Sequence, residues 1–258
     1  MLVRIAVALL DAYERKARLT PGLLAFAPIA FAVTTLGFKK FPAVAIAVGV
    51  LSAAGGTYAL STLVAHFGRK AQEHLWNIWN GPPTTRFLRT REESANPVQR
   101  DVWRQAIEAA TGVRLLSPRE EAADPDSADN TIRAAVDQMR LLGQDPRFPL
   151  VAAENTQYGY ERNLYGFRWV GRAISLACTA ALALVLVANA QAFSSGALIA
   201  GATIDFLFLL AWIFIPSADR VKTAGERYAQ QLFQAVVSLN KPTASSGGAP
   251  GSSGSPAT

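Results

Sequence analysis

The chain has 258 residues, a net charge of +6 and an isoelectric point near 9.7, which together invite a nucleic-acid partner. The charge sits in the wrong places for one: residues 66–172 hold 15 Lys/Arg against 14 Asp/Glu, and the excess flanks apolar runs where lipid headgroups would lie. A single cysteine, Cys178, excludes a disulfide framework or a thiolate metal cluster within one chain.

In chain order, residues 1–18 read as an amphipathic interfacial helix with Leu2, Ile5, Leu9 and Tyr13 towards lipid. The apolar stretch 5–10 is too short for a signal peptide. Residues 19–38 and 41–65 carry no formal charge, and about 20 residues cross a hydrocarbon core, so 19–65 is expected to be a first transmembrane hairpin. Pro28 should kink its first helix, and Ala45, Gly49, Ser52, Ala53 and Gly56 put small residues on one face of its second. That face serves either packing inside one bundle or a seam between copies.

Residues 66–171 read as a small helical cytoplasmic domain. The second span should continue as a helix to Trp79, stopped by the Asn80-Gly81-Pro82-Pro83 run, with Thr84 or Thr85 capping the next helix. Asn96-Pro97 starts a helix that Gly112 ends, and Ser117 to Glu120 resembles a capping box. Residues 124–130 read as a capping loop that only imitates a calcium site. Ile132, Val136, Met139 and Leu142 then form a helical stripe ended by Gly143.

Residues 172–216 hold a second transmembrane hairpin turning at 189–196, with Pro216 closing it. Asp205 lies eight residues into the last span, about 12 Å deep by helical rise. A carboxylate there must be neutral, paired or wetted. It reads either as a pore or proton-path residue or as a carboxyl hydrogen-bonded to Thr179, Ser175, Tyr58 or Thr57. Residues 217–240 carry a heptad seam (Val221, Gly225, Tyr228, Leu232, Ala235, Leu239) that packs on the chain itself or on a second copy. Residues 241–258 are compositionally a disordered tail.

The fold class is therefore all-α: a polytopic membrane protein with two helical hairpins around a cytoplasmic domain. Lys and Arg beside the spans put both termini and residues 66–171 on the cytoplasmic side of the inner membrane, although Lys39 and Lys40 lie in the first turn.

Two stretches carry the candidate binding residues. In residues 76–89, Thr hydroxyls, a helix start and Arg86 with Arg89 suit a phosphate; the plainer reading is a membrane-surface helix with Trp76 and Trp79 as anchors. In residues 154–169, glycines beside Tyr158 and Tyr165 suit close approach to a planar ligand, or an aromatic belt. The two stretches are placed to pack together and couple the domain to the bundle. Here the chain resembles a set of uncharacterised bacterial membrane proteins. Their pattern is Trp-Gly-Gly-x-Pro-Thr-Thr-x-x-Leu-Arg, then Glu-Asn-x-x-Tyr-Gly-Phe-x-Arg-Asn-Leu-x-Gly before a late membrane pair. The chain matches at Trp79, Gly81, Pro83, Thr84, Thr85, Leu88, Arg89, Glu154, Asn155, Tyr158, Gly159, Arg162, Asn163, Leu164 and Gly166, and departs at Asn80 and Tyr160. The resemblance implies architecture and no activity.

Three functions are open. The first is a non-enzymatic membrane protein whose domain senses a ligand or partner and biases the bundle, a pore or membrane effector being one output. The second is an assembly scaffold. The third is an enzyme on a headgroup or nucleotide using Glu154, Arg86, Arg89 and Tyr158. No cofactor, metal or nucleic acid is expected; the expected partners are the lipid bilayer, a protein or small-molecule ligand, and a second copy of the chain.

Overall fold

The computed structural model describes residues 13–37, 56–92, 95–141, 145–188 and 194–240. Among these, every regular element is a helix. Helix α1 (Glu14–Leu36) opens on a π-helical turn and runs unbroken through residue 18, where an interfacial segment was expected to end. It also remains helical through Pro28. Helix α2 (Gly56–Ile78) is followed by five helices of the central segment and its exit: α3 (Pro83–Leu88), α4 (Pro97–Thr111), α5 (Pro118–Ala123), α6 (Pro125–Met139) and α7 (Pro149–Val187). Helices α8 (Ser195–Phe214) and α9 (Ala218–Leu239) complete the chain.

Three helices, α1, α7 and α8, are long and apolar enough to cross a membrane. No more than 33% of the apolar window of any of them is buried inside the protein, so most of each is left for lipid to cover. Leu23 and Phe26 on α1, Leu184 and Val187 on α7, and Leu207 and Phe214 on α8 all point outward. Of the expected second span, residues 41–55 lie outside the described residues, with most of the small-residue face; its remainder opens α2. Residues 2–12, residues 38–40 of the expected first turn, residues 189–193 of the second, residues 142–144 and the tail also fall outside them, while residues 195 and 196, expected in the second turn, open α8.

Helix α7 is the spine. At 39 residues it is about 58 Å long, and it packs on α1, α2, α8 and α9. Its first half is polar and its second half apolar, so no break separates the expected cytoplasmic domain from the expected third span. Where α7 crosses α2, a Cβ on Gly166 would lie 2.6 Å from the Phe67 carbonyl oxygen, and one on Gly68 would strike the Asn163 amide. Only hydrogen at these two α-carbons allows that approach. Ala25, Val64, Leu164, Phe167 and Trp212 fill the junction of α1, α2, α7 and α8.

At the polar end one core takes Leu75 from α2, Leu88 from α3, Ile107 from α4, Ile132 and Val136 from α6, and Leu232 and Phe233 from α9. The central helices, thin in apolar residues by themselves, thus complete their core with the helix that follows the last apolar segment. Val221, Gly225, Tyr228, Leu232 and Ala235 of the heptad seam are buried against this chain. Five of the six seam residues are therefore packed inside this chain, and Leu239 stays exposed.

Capping follows local chemistry. The Asn96 side chain accepts from the Val98 and Gln99 amides, Gly112 ends α4 at φ 69°, and Ser117 and Glu120 form the capping box. Two expectations are corrected. Residues 125–130 are the first turns of α6 and not a loop, since Asp124 caps the Ser127 amide at 3.0 Å and Pro125 takes the first helical position. Neither Thr84 nor Thr85 caps α3, because Pro82 occupies the capping position and both threonines fall inside the helix. At the far end of α8, Pro216 has no N–H to give the Trp212 carbonyl. Arg172 of α7 supplies that bond from Nε at 3.0 Å and reaches the Ile213 carbonyl at 3.2 Å.

Candidate functional site

At the polar end, a cavity of about 600 Å³ opens between the end of α2, the following turn, α3 and one face of α6. The turn is built by Asn80 at φ 59° and Gly81 at φ 121°. A Cβ on Gly81 would also sit 2.8 Å from Nη2 of Arg89, so this position needs glycine for conformation and for space. The turn places Thr84 and Thr85 on the cavity wall, both buried. The Thr85 hydroxyl has no hydrogen-bond partner among the described residues.

Arg89 closes the floor. Its side chain is 2% exposed and forks onto Asp129, Nε to Oδ1 at 2.9 Å and Nη2 to Oδ2 at 2.6 Å, while Nη1 bonds Glu92. Around it Arg91 bridges Glu121 and Asp129, Arg86 pairs with Glu92, and Arg104 donates to the Leu88 and Leu116 carbonyls. Glu121, 1% exposed, also accepts from the amide and hydroxyl of Thr90. Burial pushes the Asp129 and Glu121 carboxyls up. For Asp129 the Arg89 and Arg91 guanidiniums, and for Glu121 the Thr90 and Arg91 donors, outweigh it and hold both below the usual carboxylate range. The two arginines that suited a phosphate in the sequence are thus paired with carboxylates.

Helix α6 supplies the rest of the wall through Asp126, Asp129, Arg133, Asp137 and Arg140, one helical face opposite the apolar stripe it sends to the core. With Arg89 these make three cations and three carboxylates, a cavity without net charge. Sequence reasoning missed this face because it followed the apolar stripe alone; the same residues read at spacings of three and four show a polar one.

Trp76 and Asn77 of α2 form the opposite wall. The Trp76 indole N–H donates to the Tyr158 hydroxyl at 3.3 Å, and Tyr158 stacks on Tyr228 with ring centroids 6.3 Å apart. The two motif stretches therefore do meet. Trp79 is half-buried against the core and off the cavity wall.

The remaining residues of the second stretch fasten helices together. Arg162 donates to Gln72 of α2 at 2.6 Å, and the Asn163 amide donates to the Ala17 carbonyl of α1 at 2.7 Å. A Cβ on Gly159 would meet the Tyr13 hydroxyl at 2.7 Å, so Tyr13 packs on α7 and not outward as expected. Glu154 pairs with Arg227 of α9 at 3.6 Å, away from Arg86 and Arg89, and Asn155 lies half-buried off the cavity wall. The four residues proposed for an enzyme are not gathered in one place. Glu161, unnoticed in the sequence, is 5% exposed and takes a two-pronged bond from Arg220 at 3.0 and 2.8 Å.

Asp205 lies apart from all of this. It is fully buried in α8, and neither carboxyl oxygen has a hydrogen-bond partner among the described residues. The expected donors are otherwise engaged: Thr179 donates to the Ser175 carbonyl and Ser175 to the Gly171 carbonyl, while Tyr58 is 69% exposed. His66 and His74 stand exposed on α2, and among the described residues no three metal-ligating side chains cluster. No family model, curated protein or solved structure matches the chain.

Proposed function

We propose that the chain is a non-enzymatic four-span protein of the inner membrane, whose cytoplasmic helical domain binds a small polar ligand and biases the membrane bundle. One observation supports this most: Trp76 is at once a wall of the cavity and a hydrogen-bond partner of Tyr158 on α7, the helix whose far half is apolar. A ligand that moves Trp76 acts on α2 and α7 together, and both run towards the apolar end. The balance of three arginines and three aspartates favours a ligand without net charge, and the cavity falls in the size range of ordinary small-molecule sites. Arg18, Arg168, Arg172 and Arg220 beside the apolar segments favour a cytoplasmic position for the cavity, with residues 41–55 completing the second span.

Overexpression should depolarise cells in the wild type. Asn77→Trp, which fills the cavity from an exposed position, should change the depolarisation at least several-fold at equal protein level. A membrane potential unaffected by either chain would instead support the scaffold reading. That reading has its own observation, the outward-facing Val98 and Val102 on α4, and would be followed by co-purification.

A further inference from the structure

The antiparallel packing of α7 and α8 is set by Gly171 against the Trp212 ring and by Leu182 against Leu198. Between those two contacts the register brings Asp205 beside Cys178. One turn further along α8, Gly201 is pressed against Thr35 of α1. Asp205 thus occupies the seam between three helices, in the apolar half of the molecule.

Its surroundings hold few other charges. From residue 19 to 36, α1 has no titratable group; α8 has none besides Asp205; and α7 beyond Arg172 has only Cys178. Arg172 is committed to carbonyls at the end of α8, about 10 Å away along that helix by its rise. An ionised carboxylate without donor or counter-charge in such a place is strongly disfavoured. The neutral acid is disfavoured less, but its hydroxyl and carbonyl are both unsatisfied. Among the described residues nothing therefore locks the proton on. Ser175, Cys178 and Thr179 line one face of α7 at this level. The two hydroxyls donate to carbonyls one turn back and leave the carboxyl without them.

We propose that Asp205 is a proton-binding site of the membrane bundle, reversibly emptied as the surroundings become alkaline. This does not rest on the cavity or its ligand.

The test is infrared difference spectroscopy on the full-length protein in lipid nanodiscs, titrated from about pH 5 to about pH 10, the range over which a displaced carboxyl ionises. A carboxylic-acid carbonyl band should appear at the high-frequency end of its range, where acids without hydrogen bonds absorb. It should shift down in heavy water, give way to a carboxylate band on alkalinisation, and return on acidification. Asp205→Asn should lose the band, and Asp205→Glu should move it, an assignment that holds even if the Asn chain folds poorly. A carboxylate band at every pH would overturn the proposal, since the site would then be charged and wet. An acid band unchanged to the alkaline limit would overturn it equally, because the proton would then be a fixed part of the packing.

Discussion

The two ends of α7 treat buried charge in opposite ways. At the polar end Arg89, Glu121 and Asp129 are almost wholly enclosed, and every one is held by two or more partners. At the apolar end Asp205 is enclosed to the same degree, and among the described residues neither carboxyl oxygen has a hydrogen-bond partner. Burial alone therefore does not distinguish the two environments; the partner count does. A closed network organises the fold around the cavity, whereas a carboxyl without partners is open to change.

Breaking the closed network should produce the largest effect. Arg89→Ala takes the two-pronged cation from buried Asp129, leaving it Arg91 alone, and should destabilise the polar end by about 3–5 kcal/mol. Denaturant unfolding followed by the fluorescence of Trp103, which packs in that core, measures it. Asp205→Asn, which removes no hydrogen bond, should stay within about 1 kcal/mol of the wild type in the same assay. Acid attacks the same network. Asp129 and Glu121 are held lower in the folded chain than in the unfolded one, so their contribution is complete above the unfolded value of about 4. It is lost as pH falls through the folded values, so this network's contribution should be flat near neutrality and drop only below about pH 4.

The next effect concerns the crossing that joins the two ends. Gly166→Leu drives a side chain into the Phe67 carbonyl and should cost about 1–3 kcal/mol. Hydrogen exchange should show faster opening of α2 and α7 at this crossing, with α4 unchanged. Smallest is Trp76→Phe, which deletes the bond to Tyr158 for about 1 kcal/mol. Its value lies in function: if Trp76 carries the signal, depolarisation should lose its sensitivity to Asn77→Trp in this background.

What was legible in the sequence divides along the distance between partners. The caps at Asn96 and Ser117 and the stop at Gly112 involve neighbours, and local chemistry specified them. The apolar runs of α1, α7 and α8 were equally plain, since a charge-free window needs no partner to be recognised. That Arg89 is held by Asp129 was not legible, because Asp129 lies 40 residues away and no spacing rule links them. Glu161 was passed over for the same reason, its partner Arg220 being 59 residues distant. Residues 124–130 failed differently: Asp-Pro suits a turn and a helix start alike, and only the rest of α6 decides between them. The glycines of the second motif were recognised as points of close approach, yet the approaching groups proved to be Tyr13 and the α2 backbone.

The continuity of α7 from the polar end to the apolar end is the premise on which the coupling depends, and a nitroxide scan measures whether water surrounds one end and lipid the other. In a Cys178→Ala background, single cysteines at the outward positions Ala153, Trp169, Leu176, Leu184 and Val187 would be labelled in nanodiscs and relaxed with a water-soluble nickel complex or with oxygen. Nickel should dominate at Ala153, and oxygen at Leu176 and Leu184. Nickel access at Leu176 and Leu184 equal to that at Ala153 would mean that no lipid surrounds this helix, and would contradict the membrane-coupled reading.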